Sequence, residues 1–170
     1  MEKIIYLVLG GPEESMRKRV EALKMKRAEN HGKGKVILDG FSSEINYMRE
    51  FFPGEFLSYA YSYDTLSNFQ RCKGDLEDAD VVYIATSLLH WERIRIILRR
   101  KFPQVEKKIK WINSGETETK YAKLGLRIYK IFGPTILQKV SIITRWKKYR
   151  REYCAPIKER RMCAFLGVYY

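Results

Sequence analysis

Asp80-Val81-Val82-Tyr83-Ile84-Ala85-Thr86-Ser87-Leu88-Leu89-His90-Trp91-Glu92-Arg93 is the stretch that decides the fold. Residues 80–85 are a strand in which Asp80 leads an apolar run, Val81 to Ala85, rich in β-branched side chains and of the kind buried in a parallel sheet. Thr86 and Ser87 follow with short hydroxyls where a helix needs a cap, and a helix is predicted over 88–101, ended by Pro103. A strand that turns directly into a capped helix is half of a βαβ unit.

The same alternation extends both ways. Upstream, residues 3–9 are nearly all apolar and end in Gly10-Gly11-Pro12, a first strand followed by a tight turn. A helix over 15–29 closes at His31-Gly32-Lys33-Gly34. A second strand over 35–38 runs into Asp39-Gly40-Phe41, after which Ser42 or Ser43 caps a helix over 42–52, stopped by Pro53-Gly54. A weaker third strand over 55–61 passes through Ser62-Tyr63-Asp64-Thr65 into a helix that reaches residue 73, before Gly74. Downstream, 108–112 is a fifth strand. Repeated βαβ units imply a mostly parallel five-stranded sheet with right-handed crossovers.

Beyond residue 113 the pattern becomes helical, over 117–132 and again over 135–153. We therefore divide the chain into an α/β domain, 1–134, and a basic helical extension, 135–170, packed on the same domain. At 170 residues the chain suits one hydrophobic core. It has no apolar stretch near the ~18 residues of a membrane span and no signal sequence, so no integral membrane segment and a cytoplasmic location are expected. Cys72, Cys154 and Cys163 are widely spaced and odd in number, which points to reduced thiols rather than disulfides or zinc.

The net charge of +13 is unevenly placed. Residues 1–80 carry 12 Lys and Arg against 14 Asp and Glu, whereas 81–170 carry 21 against 6. A cationic second half suits phosphates, nucleic acid or an acidic partner, and equally suits a protein that decorates its surface with charge. The segment Arg145-Trp146-Lys147-Lys148-Tyr149-Arg150-Arg151 interleaves cations with aromatics, a composition for phosphate contact and base stacking. Its rivals are a basic amphipathic helix packed on the core, and one lying with the 165–170 tail on an anionic membrane.

Polar residues follow each strand, where open α/β sheets hold their ligands. They are Gly10 and Gly11; Asp39, Gly40 and Glu44; Ser62, Asp64, Thr65 and Asn68; and Thr86, Ser87, His90 and Arg93. Asp64 and Ser87 have helix capping as a sufficient explanation. Capping does not require four such groups to share one edge. His90 and Arg93 fall on one helix face near its positive end, so Arg93, the hydroxyls and backbone N–H groups make an anion site. His90 adds proton transfer, and Glu44 and Asp64 add a base, a ribose contact or a metal ligand. Arg17 and Arg19 lie close to the glycine turn and can meet a phosphate or carboxylate. Gly10-Gly11 completes neither a P-loop nor a dinucleotide fingerprint.

In order, Leu9-Gly10-Gly11 with Arg19-Val20-Glu21-Ala22, Asp39-Gly40 with Glu44-x-x-x-Met48, Ser62-x-Asp64-Thr65-x-x-Asn68, and Ala85-Thr86-Ser87-x-x-His90-x-x-Arg93 resemble the motif blocks of the ElyC/SanA/YdcF family over residues 3–115. The resemblance implies a three-layer Rossmann-like fold and a polar pocket of Glu44, Asp64, Asn68, His90 and Arg93. It also implies a nucleotide-like ligand such as S-adenosylmethionine, while the carboxylates Glu44 and Asp64 keep a divalent metal as a second candidate cofactor. Three features depart from the family: the membrane helices many members carry ahead of the first strand are not seen, Asp39-Gly40-Phe41 replaces a small-residue turn, and the basic extension has no counterpart. The leading expectation is a small-molecule enzyme or binder for a phosphorylated or nucleotide-like ligand. In it, Arg19 and Arg93 hold the anion, His90 is the acid or base, and Gly10, Gly11, Asp39, Gly40, Thr65, Asn68, Thr86 and Ser87 line the pocket. The alternative is nucleic-acid binding by the basic half.

Overall fold

The computed structural model describes residues 2–55, 57–62, 64–116, and the single positions 123, 126, 127, 130, 131 and 133. Its strands are β1 (Ile4–Leu9), β2 (Lys35–Gly40), β3 (Leu57–Tyr61), β4 (Val81–Thr86) and β5 (Ile109–Asn113). They form one sheet in the order β3-β2-β1-β4-β5, and every pairing is parallel. Between them run α1 (Glu13–Glu29), α2 (Ser42–Arg49), α3 (Thr65–Arg71), α4 (Lys73–Asp78), α5 (Leu88–Lys101) and α6 (Pro103–Glu106). The architecture is α/β and Rossmann-like, with a sheet that is wholly rather than mostly parallel among the described residues.

Alternation along each strand sends side chains to two separate cores. Tyr6, Val8, Val36 and Leu38 pack against Met16, Val20 and Leu23 of α1 and Ile45 and Met48 of α2. Ile5, Leu7, Ile37 and Ile84 meet Leu66 and Phe69 of α3, Leu76 of α4, and Ile94, Ile97 and Leu98 of α5. Three layers result, and both faces of the central strands are dry, which is why β1 and β4 read as unbroken apolar runs.

Several boundaries differ from expectation for identifiable reasons. β2 continues through Asp39 and Gly40, which pair with Ala60 and Tyr61, so both lie inside the strand. Neither Ser42 nor Ser43 caps α2. The N-cap is the buried Phe41, whose backbone N–H donates to Glu44 Oε2 at 2.9 Å. Gly74 sits inside α4, and the break falls at Cys72 instead. Pro103 does stop α5, but as the first residue of α6, where a missing N–H costs nothing. Of the helix expected over 117–132, positions 123, 126, 127, 130 and 131 are described and are helical. The extension 135–170 lies outside the described residues.

Candidate functional site

β1 feeds α1 on one face of the sheet, while the neighbouring β4 feeds α5 on the other. The carboxyl ends of these two strands therefore part, leaving the switch-point crevice at which open α/β sheets bind ligands. Gly10 and Gly11 stand on one side of it, and Thr86 and Ser87 on the other.

Ser87 is the N-cap of α5, its Oγ accepting the His90 N–H at 3.4 Å. This puts the half-buried His90 in the first helical turn, with its ring among three elements. Nδ1 lies 2.9 Å from Thr86 Oγ1 and 3.5 Å from Arg19 Nη2. Nε2 lies 3.4 Å from Thr65 Oγ1. Thr65 opens α3, which Asp64 caps by accepting the Ser67 N–H at 2.7 Å. The structure thus brings Thr65, Thr86 and His90 together. Arg93 stands one turn further along α5, half-buried.

Arg19 is placed otherwise than a solvent-facing anion clamp. Its side chain is 5% exposed and lies beneath the glycine turn. Nη1 donates to the carbonyls of Leu9 (3.0 Å) and Gly10 (2.7 Å). Nε and Nη2 donate side by side to the two oxygens of Glu116, both at 2.8 Å, the bidentate geometry that makes guanidinium–carboxylate pairs strong. Burial raises the Glu116 pKa, but Arg19, helped by Ser114 and Ser15, outweighs it and holds the carboxyl below its usual range. Glu116 is the residue that sequence reasoning missed. Its position, just past β5 at the carboxyl edge, was the available signal. Arg17 is exposed on α1.

The glycines serve the protein's own side chains. A Cβ on Gly10 would collide with Glu44 Oε2 and lie 3.1 Å from the Asp39 carbonyl oxygen. One on Gly40 would lie 2.6 Å from Glu44 Oε2 and 3.1 Å from the Gly10 Cα. At Gly11 the space is bounded by Arg19 Nη1 at 3.1 Å. Gly10→Ala is therefore expected to overpack this corner and lower stability by about 1–3 kcal/mol, read as a shift of the urea midpoint. An unchanged midpoint would show that Glu44 swings aside freely.

Asp39 and Asn68 form a second, interior cluster. Asp39 is fully buried; the Ser62 hydroxyl sits against its Oδ1, and the Cys72 thiol points to its Oδ2 at 3.8 Å. Ser62 Oγ also lies 2.5 Å from Asn68 Oδ1. Burial pushes the Asp39 carboxyl from its ordinary 3.8 up to about 7, against the bonds from Ser62 and Cys72 and with the Glu44 and Asp64 charges adding to the rise. In dinucleotide-binding folds the acid after the second strand reaches a ribose. Here that acid faces the core, so a nucleoside ligand would find no ribose contact in Asp39. Burial likewise pushes the Cys72 thiol up, keeping it protonated.

No family model matches this chain, and no curated protein or solved structure does. Among the described residues, no group of three or more His, Cys, Asp or Glu side chains is placed to hold a metal ion. Among the same residues, no helix is long and apolar enough to cross a membrane. A groove of about 630 Å³ between α1 and β5, bordered by Lys18, Lys26, Tyr83, Lys110 and Ile112, lies apart from His90. The candidate nucleic-acid segment, Arg145, Trp146, Lys147, Lys148, Arg150 and Arg151, lies outside the described residues.

Proposed function

We propose that the protein binds a small anionic ligand, phosphorylated or nucleotide-like, in the crevice between the carboxyl ends of β1 and β4, with His90 as its proton-handling group. The observation that carries this reading is the convergence on one imidazole of Thr65, Thr86 and Arg19 from three separate elements. Helix capping asks only for Ser87, and packing asks for none of the others. The α5 N-terminus adds backbone N–H groups and a positive dipole end on the same side. The four motif blocks resembling the ElyC/SanA/YdcF family run through these same residues and support the reading. Arg19 is engaged by Glu116; the ligand anion is met by the α5 N-terminus, the Thr65 hydroxyl and Arg93, one turn along α5 from His90. Glu44, tied to the Phe41 N–H, and Asp64, tied to α3, serve as the walls that position them.

A thermal-shift screen of nucleotides, S-adenosylmethionine, sugar phosphates and divalent metal salts tests the reading. A ligand at a hundred times its Kd stabilises by about 2.7 kcal/mol, which for a chain of this length raises Tm by roughly 5–10 °C. We expect such a rise with an anionic compound and its loss in His90→Ala and Arg93→Ala. A rise that survives both substitutions would place the ligand elsewhere.

A further inference from the structure

The groups around the histidine at the centre of this crevice bear on which ring nitrogen carries its proton. His90 Nδ1 has a single lone pair in the acceptor form and a single proton in the donor form. Thr86 Oγ1 lies 2.9 Å from it and Arg19 Nη2 3.5 Å. The threonine hydroxyl can donate or accept, so it decides nothing. The guanidinium can only donate. A proton on Nδ1 would set N–H against N–H beside a full positive charge. Arg19 cannot turn away from this encounter, since two backbone carbonyls and both oxygens of Glu116 hold it.

We infer that Glu116 is a positioning residue that, by clamping Arg19, fixes His90 as an uncharged ring with its proton on Nε2. Donation then runs in one direction. Thr86 gives to Nδ1 at 2.9 Å with the Arg19 N–H alongside at 3.5 Å, Nε2–H gives to Thr65 Oγ1, and the Thr65 hydroxyl proton is left to point onward. The ligand atom that meets this wall is accordingly an acceptor: an oxygen of a phosphate, carboxylate or carbonyl group. In reaction terms His90 is a donor that polarises that oxygen, not a base that removes a proton. The inference rests on the crevice being the ligand site only for this last consequence. The state of the ring is measured with no ligand present, so the two readings fail separately.

The chain has two histidines, which makes the ring nitrogens separable by ¹⁵N NMR of the full chain, with His31→Gln assigning the signals. At about pH 8.5, above the ordinary histidine range, we expect His90 to show a protonated Nε2 and a bare Nδ1. In Glu116→Gln the preference for that tautomer should fall by about threefold to tenfold, the worth of one net hydrogen bond, while Glu116→Asp, which keeps the charge, retains it. If Glu116→Gln proves too unstable to study, Thr86→Val serves instead: it removes the undecided neighbour and should leave the Nε2 proton in place. A wild-type ring protonated on Nδ1, a preference that Glu116→Gln leaves unmoved, or a reversal in Thr86→Val overturns the inference.

Discussion

Asp39→Asn is expected to stabilise the protein by about 2–4 kcal/mol at about pH 8 and to leave it nearly unchanged at about pH 4. The sign follows from where the proton sits. The Asp39 carboxyl is pushed up to about 7 in the folded protein from an ordinary value of 3.8. Between those two values the folded state holds a proton that the unfolded chain has released. Stability therefore falls as pH rises through this window, then levels off above it. Each tenfold change in proton affinity is worth about 1.4 kcal/mol, so the full loss is about 4 kcal/mol. Hydrogen-bond geometry supports the protonated form independently. Ser62 Oγ touches both Asp39 Oδ1 and Asn68 Oδ1, yet one hydroxyl has one proton. A protonated Asp39 supplies the second, donating to Ser62, which donates to Asn68. Asparagine at position 39 reproduces that donor with an N–H and cannot ionise, while its amide oxygen still accepts from Cys72. Urea unfolding of both proteins from about pH 4 to about pH 8 isolates the effect in their difference. A difference that stays flat with pH would mean that Asp39 titrates normally and that the amide of Asn68 is turned to donate to Ser62.

The strands were legible because burial on both faces leaves no alternative to long apolar runs such as Ile4–Leu9. The caps at Asp64 and Ser87 were legible because short acceptors at those positions have one local use. Asp39 was not legible as a core residue because β2 runs through Asp39-Gly40, a pair whose composition reads as a turn. Inside β2 it shares the parity of Ile37, which faces the α3–α5 core, so the alternation that buries Ile37 also buries Asp39. Arg19 carried a signal that charge alone obscured. Met16, Val20 and Leu23 mark the buried stripe of α1, and Arg19 falls on it, three residues after Met16. A cation on such a stripe demands a buried acceptor. Which acceptor could not be read from the chain, since Glu116 is 97 residues away and no local pattern links the two. Long-range pairings of this kind depend on which strands become neighbours, and only the sheet order supplies that.

Arg19→Met should be the most damaging single change at the crevice, at about 3–5 kcal/mol, because it removes one partner of a buried pair and strands the other. Glu116 would be left an anion beneath the glycine turn with only hydroxyls against it, and the carbonyls of Leu9 and Gly10 would lose their donor. Adding Glu116→Gln to Arg19→Met removes the stranded charge. The double variant is thus expected to be more stable than Arg19→Met alone, with a coupling of about 1–3 kcal/mol in the double-mutant cycle. It should not return to wild type, since the two carbonyls still lack a partner. The acid side gives an independent check of opposite sign to Asp39. Glu116 sits below its usual range in the folded protein, so its contribution is present above the unfolded carboxyl pKa and is lost as pH falls through the folded value. Arg19→Met abolishes that acid-side loss, because the lowering came from the guanidinium. Additive single effects would show that Arg19 and Glu116 act separately, and that the turn after β1 is held by its carbonyl bonds rather than by the ion pair.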